Sequence, residues 1–324
     1  MSQFSLQHVV ESQQFDLDLL ELVFETADLM KADLQGDRKL AKFLDGRIMA
    51  SLFYEPSTRT RFSFESAMRR LGGSVITTEN ARDFSSAAKG ESLADSTRIM
   101  NGYADVIVMR HNEAGSATRA SEISTVPIIN AGDGAGQHPT QALLDVYTIA
   151  DSFPEMNRLK IALVGDLRYG RTARSLSYLL TKYEDMELIF VSPSVCRMER
   201  DIKNYLNKYG VPWREEDDLS EVVREVDCIY MTRVQKERFH SAEDYQEAAS
   251  KYILAPELVS QMKQKSIIMH PLPRVDEIPA AVDSAPQARY FEQAQNGLYI
   301  RMALLYLLLQ DRVDDALRFF EKIE

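Results

Sequence analysis

Short apolar runs alternate along this chain with amphipathic stretches of helical period. Phe15 to Lys31 carries Leu19, Leu20, Leu22, Val23, Ala27 and Met30 in a broad stripe with acids between them, which predicts a helix packed on a first core. Ile48 to Tyr54 reads as a short buried strand, and Pro56 forbids its simple continuation into a ladder. Phe64, Ala67, Met68 and Leu71 then recur at helical spacing until Gly72 and Gly73 stop the helix. The order repeats, with strands expected at Ser74 to Thr77, Ala104 to Met109 and Val126 to Asn130. Helices are expected at Ser92 to Met100, at Ser116 to Ile123 and from near His138. Strand, loop, helix in that repeat predicts a mostly parallel α/β layer with ligand groups collected at its loop ends.

A second set begins near Asp151. Lys160 to Val164, Leu188 to Val191, Cys228 to Met231 and Ile267 to Met269 read as strands; Thr172 to Lys182, Arg200 to Lys208, Leu219 to Val226 and Pro256 to Lys265 read as helices. The periodic segment Asn296 to Gln310 is expected to cross back to the first unit. With 324 residues there is material for two cooperating cores. The net charge of -11, from 49 acidic and 38 basic residues, argues against a general nucleic-acid or anionic-membrane binder. A few convergent arginines can still build a locally positive cleft. Cys196 and Cys228 form no CxxC motif, so neither a disulfide scaffold nor a thiolate zinc cluster is indicated. The opening MSQFSLQHVVESQQFD has no basic region followed by an apolar signal segment, and no apolar run reaches membrane length. A cytoplasmic protein is the expectation.

Candidate chemistry concentrates in islands. Ser57, Thr58, Arg59, Thr60 and Arg61 crowd the turn into a helix directly after an apolar strand, where free backbone N–H groups, hydroxyls and guanidinium forks suit a phosphate or carboxylate. Phe84 to Ser92 brings Ser85 and Lys89 in a loop of small residues, Met109 to Glu113 brings Arg110 at a strand end, and Gly136 to Gln141 brings His138 and Gln141 after a glycine-rich turn. In the second half, GDLRYGRT (165–172) has nearly the spacing of a phosphate-binding loop but with Arg171 where Lys is expected, and no GxGxxG is present. ATP hydrolysis and dinucleotide binding are therefore disfavoured. Arg171, Arg233 and Gln235 suit carboxylates better, and HPLPR (270–274) follows the last strand. No histidine set has metal-ligand spacing, and no local Ser-His-acid triad implies a covalent intermediate. Direct transfer between two bound anions fits best.

Together FYEPSTRTRFSFE, MRH, HPTQ, GDLRYGRT, MTRVQKER and HPLPR resemble the aspartate carbamoyltransferase catalytic chain from about residue 5 to residue 310. The resemblance implies two three-layer α/β/α domains with mostly parallel sheets, joined across an active-site cleft, with a terminal helix returning to the first. The carbamoyl-phosphate domain would comprise residues 1–142 and 294–324, the aspartate domain residues 143–293. It further implies that Ser57, Thr58, Arg59, Thr60, Arg110, His138 and Gln141 surround carbamoyl phosphate, with Ser85 and Lys89 supplied by an adjacent subunit. Arg171, Arg233, Gln235, Pro271 and Leu272 would meet L-aspartate. Glu55, Arg171 and Arg238 would hold the domains together after closure. Ala88 stands where the family often has a basic residue.

The implied reaction converts carbamoyl phosphate and L-aspartate to N-carbamoyl-L-aspartate and phosphate in pyrimidine synthesis, without cofactor or metal. Arg59, Thr60, Lys89, Arg110 and His138 would be its catalytic groups. A homotrimer with shared active sites is implied, and a dodecamer with a zinc-containing regulatory chain is compatible with it. Ornithine carbamoyltransferase shares the STRTR and HPTQ chemistry, but its family usually has a cysteine in an HCLP-like segment where this chain has HPLPR. A noncatalytic ligand-binding interaction protein is the remaining alternative.

Overall fold

The computed structural model describes residues 4–84, 86–234 and 251–320. They form two compact units, one holding the chain up to Thr140 together with the residues from Gly297 onward, the other Gln141–Asn296.

In the first unit β1 (Ile48–Phe53), β2 (Ser74–Glu79), β3 (Val106–His111) and β4 (Ile128–Asp133) lie in the order β2-β1-β3-β4, all parallel. Val106, Ile107, Val108 and Met109 are all buried, as a strand covered on both faces requires. Around the sheet run α1 (Leu17–Gln35), α2 (Thr58–Arg70), α3 (Ala81–Phe84), α4 (Leu93–Met100) and α5 (Ser116–Ser121). α1 begins at Leu17 because Asp16 caps it, its carboxylate accepting from the Leu19 amide at 2.9 Å. Leu19, Leu20, Val23, Ala27 and Met30 are buried along its stripe. At roughly 1.5 to 3 kcal/mol per large side chain, this burial rather than helix propensity holds α1 in place.

In the second unit β5 (Lys160–Val164), β6 (Glu187–Val191), β7 (Trp213–Glu216), β8 (Cys228–Met231) and β9 (Ile267–Met269) lie in the order β7-β6-β5-β8-β9, again all parallel. α6 (Pro139–Ser152), α7 (Arg171–Leu180), α8 (Arg200–Lys208) and α9 (Pro256–Val259) accompany it. Val164, Val191, Ile229, Met231 and Ile268 share a core with Leu219, Val222, Val223 and Val226. Both cysteines are free and buried here.

Three expectations change. Leu219 to Val226 is not an α-helix: only Leu219–Glu221 forms a 3-10 turn, followed by further turns. Its apolar spacing is satisfied by bonds such as Val222 N–H to the Leu219 carbonyl at 3.2 Å, and the paired valines favour no longer helix. Trp213, left unassigned between two expected helices, lies on β7. The helix expected over Pro256 to Lys265 ends at Val259, where bonds of the i to i+3 kind tighten its last turns.

The last helix, α10 (Tyr290–Phe320), contains the expected returning segment. Ile300, Met302, Ala303, Leu304, Leu305, Leu307, Leu308 and Leu309 are all buried, the pattern of a helix enclosed on every side. Its later part packs in the first unit, where Tyr306 stacks on Phe43 with ring centroids 4.3 Å apart and Arg301 donates to the Ser63 hydroxyl at 2.9 Å.

Candidate active site

In the first unit the candidate groups gather at the carboxyl ends of adjacent strands. β1 leads through Glu55 into α2, β3 carries Arg110 near its end, and β4 leads to His138. The register pairs Phe53 with Arg110, and the Tyr54 amide donates to the Arg110 carbonyl at 2.8 Å, so Arg110 adjoins the turn into α2. Ser57 is the N-cap of α2, yet its hydroxyl makes no capping bond, unlike Asp16 at α1 and Ser92 at α4. The first-turn N–H groups and the positive end of the helix dipole therefore remain open to an anion.

Arg59 is exposed and makes no hydrogen bond or ion pair with any described residue. Arg61 instead bridges to Glu79 at 2.9 Å. Two residues turn a helix by about 200°, so one guanidinium is available to a ligand and the other braces the fold. Thr60, Arg110 and His138 are only 8%, 9% and 4% exposed, so their donors act where water screens little. Arg110 donates from Nη1 to the Ala131 carbonyl at 3.3 Å, and its Nη2 pairs with the Glu55 carboxylate. Glu55 thus has a partner inside the first unit. Lys89 ends the 3-10 turn Ser86–Lys89, exposed and without a bond to any described residue.

The second unit repeats the plan at the ends of β5, β8 and β9, which lead to Arg171, Arg233 and Pro271. Gly165 has φ +110°, and a Cβ there would lie 2.2 Å from the Thr232 carbonyl oxygen, so only glycine lets the loops after β5 and β8 meet this closely. Arg171 opens α7 half-buried. Arg233 is exposed and makes no bond to any described residue.

His270 supports the loop after β9 instead of facing a ligand. Its Nδ1 accepts from the Leu272 amide at 2.7 Å, its Nε2 meets Glu277 Oε1 at 2.8 Å, and its own amide donates to Gln293 Oε1 at 2.8 Å. Since Nδ1 accepts, the Nε2 carries the proton and donates to the carboxylate. Burial alone would raise the Glu277 pKa, but the His270 hydrogen bond and the backbone amides outweigh it and hold the carboxyl below its ordinary value. Leu272 sits at φ +52° before a cis peptide to Pro273. Its amide is already engaged, and Pro271 has none to offer. What this pair can give a ligand is carbonyl oxygens, which accept from an amine.

Gln141 is buried, and its Nε2 donates to Asp145 Oδ1 at 2.8 Å, so part of its expected donor capacity is already used within the protein. Ser85, Gln235 and Arg238 lie outside the described residues. Among the described residues no three metal-ligating side chains converge.

Residues 7–151 match the model of the aspartate/ornithine carbamoyltransferase carbamoyl-P binding domain, and residues 157–308 that of the Asp/Orn binding domain. The chain belongs to the aspartate/ornithine carbamoyltransferase family. A relative from pea, aspartate carbamoyltransferase 2, chloroplastic, is 57% identical over 307 residues, covering 94% of this chain and 80% of its own. The catalytic subunit of Methanocaldococcus jannaschii aspartate transcarbamoylase superposes with a TM-score of 0.88 at 46% identity, covering 94% of this chain and 99% of that one. Aspartate transcarbamoylase from Trypanosoma cruzi, solved with carbamoyl phosphate and aspartate, gives 0.86 at 36% identity over 93% and 95% of the two chains.

Three residues of this carbamoyltransferase that carry bonds around the candidate groups escape a reading by motifs. Asp145, Glu277 and Gln293 are all buried and polar. Asp145 left a faint signal, a lone acid inside the apolar run ALLDVYTIA. The other two sit in mixed segments where nothing distinguishes them from surface residues.

Proposed function

We propose that this carbamoyltransferase transfers the carbamoyl group of carbamoyl phosphate to L-aspartate, forming N-carbamoyl-L-aspartate and phosphate in pyrimidine synthesis. The observation that carries this reading is the start of α2, where Ser57 makes no side-chain cap, Arg59 in the first turn is bonded to no described residue, and buried Thr60 and Arg110 lie close by. In this reading Ser57, Thr58, Arg59 and Lys89 hold the phosphate that leaves. Thr60, Arg110 and His138 stabilise the negative charge that grows on the carbamoyl oxygen as the neutral aspartate amine attacks the carbon. The C–N bond forms as the C–O bond to phosphate breaks, and the departing phosphate takes the amine proton. The gain comes from holding the two anions with their reacting atoms about 3 to 3.5 Å apart.

Arg171, Arg233 and Gln235 serve the aspartate carboxylates, and the Pro271 and Leu272 carbonyls accept from its amine. Arginines at two strand ends and HPLPR favour a diacid over ornithine. Gln141 and Ser85 complete the carbamoyl-phosphate contacts, and Glu55, Arg171 and Arg238 the ionic contacts of the closed state. Lys89 and Ser85 act on a neighbouring chain's site in a homotrimer, for which Lys89, exposed and bonded to no described residue, is the support. A zinc-containing regulatory chain is a further partner compatible with this assembly. The cytoplasm is the proposed location; among the described residues no helix is long and apolar enough to cross a membrane.

Parallel assays with aspartate and ornithine as acceptors test the reaction. Turnover of aspartate well above that of ornithine is expected, and equal or greater ornithine turnover overturns the assignment. Mixing Lys89→Ala with Arg110→Ala chains tests the shared site: activity returns in mixed trimers, and verified mixed trimers that stay inactive refute it.

A further inference from the structure

Asp145 is a fully buried carboxylate midway along α6, among Leu143, Leu144 and Val146. A charge in such a place costs several kcal/mol of desolvation unless donors surround it. The donors come from separate parts of the second unit. Gln141 Nε2 reaches Oδ1 at 2.8 Å from one helical turn away. Gln293 Nε2, from the start of α10, reaches the same oxygen at 2.7 Å. The Tyr230 hydroxyl, from β8, donates to Oδ2 at 2.7 Å.

Each donor continues toward a group already placed in the substrate sites. Gln141 is itself one of them. Gln293 accepts at Oε1 from the His270 amide at 2.8 Å, and His270 Nδ1 in turn accepts from the Leu272 amide at 2.7 Å. The Tyr230 phenol is also hydrogen-bonded by Thr172, the residue after Arg171. Burial first, and the Asp145 charge second, push the Tyr230 hydroxyl well above its ordinary value, so it remains a proton donor. A core position needing only volume would be filled by an apolar residue at less cost.

We propose that Asp145 is a positioning residue that holds three substrate-contacting segments, Gln141, the start of α7 and the Pro271–Leu272 loop, in one register. The proposal rests on the aspartate-carbamoylating reading above. Its mechanical content is that each arm can be cut separately. Gln293→Met removes the link to His270 and Leu272, and Tyr230→Phe removes the link to Thr172 and Arg171, both at nearly unchanged volume. Asp145→Leu removes the acceptor of all three arms at similar volume, whereas Asn would keep one oxygen able to accept from both glutamines.

The test is steady-state kinetics with both substrates in the full chain, alongside thermal melts. Gln293→Met and Tyr230→Phe are expected to raise the aspartate KM about tenfold while changing the carbamoyl-phosphate KM less than about twofold. Asp145→Leu is expected to lower kcat/KM for aspartate about a hundredfold, the scale of an ångström of misplacement. A purely structural role would lower the melting temperature and leave the KM values alone, which overturns the proposal. So does equal weakening of both substrates in Gln293→Met. Should Gln293→Met fail to fold, Tyr230→Phe decides, and unchanged kinetics there refute the idea. A wild-type chain that forms no carbamoyl-aspartate overturns the functional reading itself, whereas an active wild type with indifferent arm variants overturns the positioning role alone.

Discussion

Replacing Glu55 by Gln keeps the side chain's shape and removes the charge facing Arg110. The Glu55 side chain is 35% exposed and that of Arg110 11%, so the pair lies between two regimes. Exposed pairs contribute about 0.2 to 1 kcal/mol, while breaking a fully buried one costs about 3 to 5 kcal/mol. A loss of about 1 to 2 kcal/mol is expected once screening on the Glu55 side is allowed for. In a unit of this size that lowers the first unit's melting temperature by about 2 to 8 °C. The same substitution should tighten phosphate binding, because Glu55 then no longer neutralises the Arg110 charge beside the turn into α2. About tenfold is expected, the equivalent of about 1.4 kcal/mol. Calorimetric phosphate titrations and melts with and without phosphate read both effects. The difference in melting temperature should shrink as phosphate is added, since the ligand stabilises the variant more. Identical melts without phosphate, or a gap that phosphate does not narrow, would refute the reasoning.

Other outcomes follow from the same geometry. The Glu277 carboxyl titrates below its ordinary 4.5 in the folded chain, so its contribution to stability is complete above that value and is lost as pH falls through the lowered one. Urea unfolding at a series of pH values should show a shallower acid loss in Glu277→Gln, and an unchanged slope would contradict the assignment. Gly165→Ala forces a Cβ to 2.2 Å from the Thr232 carbonyl at φ +110°. A destabilisation of about 2 to 5 kcal/mol, with a raised aspartate KM, is expected in denaturant unfolding and kinetics; an alanine variant as stable as wild type would count against it. Arg59→Ala should lower kcat/KM for carbamoyl phosphate about a hundredfold and Arg233→Ala that for aspartate, each chiefly for its own substrate. Equal losses for both substrates in either variant would contradict the division of labour.

Much of this molecule is legible in its sequence because its strands are short, apolar and regularly interrupted. Ile48 to Tyr54 and Lys160 to Val164 announce buried parallel strands, and each ends where polar chemistry begins. The distinction between Arg59 and Arg61 was not legible, since both sit in one motif and only helical rotation separates them. Leu219 to Val226 misled for a related reason: four apolar residues at helical spacing also fit a run of tight turns that buries the same side. Glu55 shows the limit of motif reading most clearly, because its partnership with Arg110 depends on the pairing of β1 with β3. Asp145, Glu277 and Gln293 drew no attention because a buried carboxylate or amide differs from a surface one only through partners far away in sequence.

The only tryptophan and both cysteines of the chain fall in the second unit. Trp213 donates to Asn207 Oδ1 at 2.8 Å on a partly exposed strand, and burial pushes the Cys228 thiol well above its ordinary pKa, which suppresses the reactive thiolate. Indole and thiol signals from the native protein are therefore one-sided. Indole fluorescence and thiol labelling follow the opening of the second unit alone. A tryptophan introduced at Phe43, against Tyr306, would supply an independent channel for the other half, so that its melting could be followed separately in one sample.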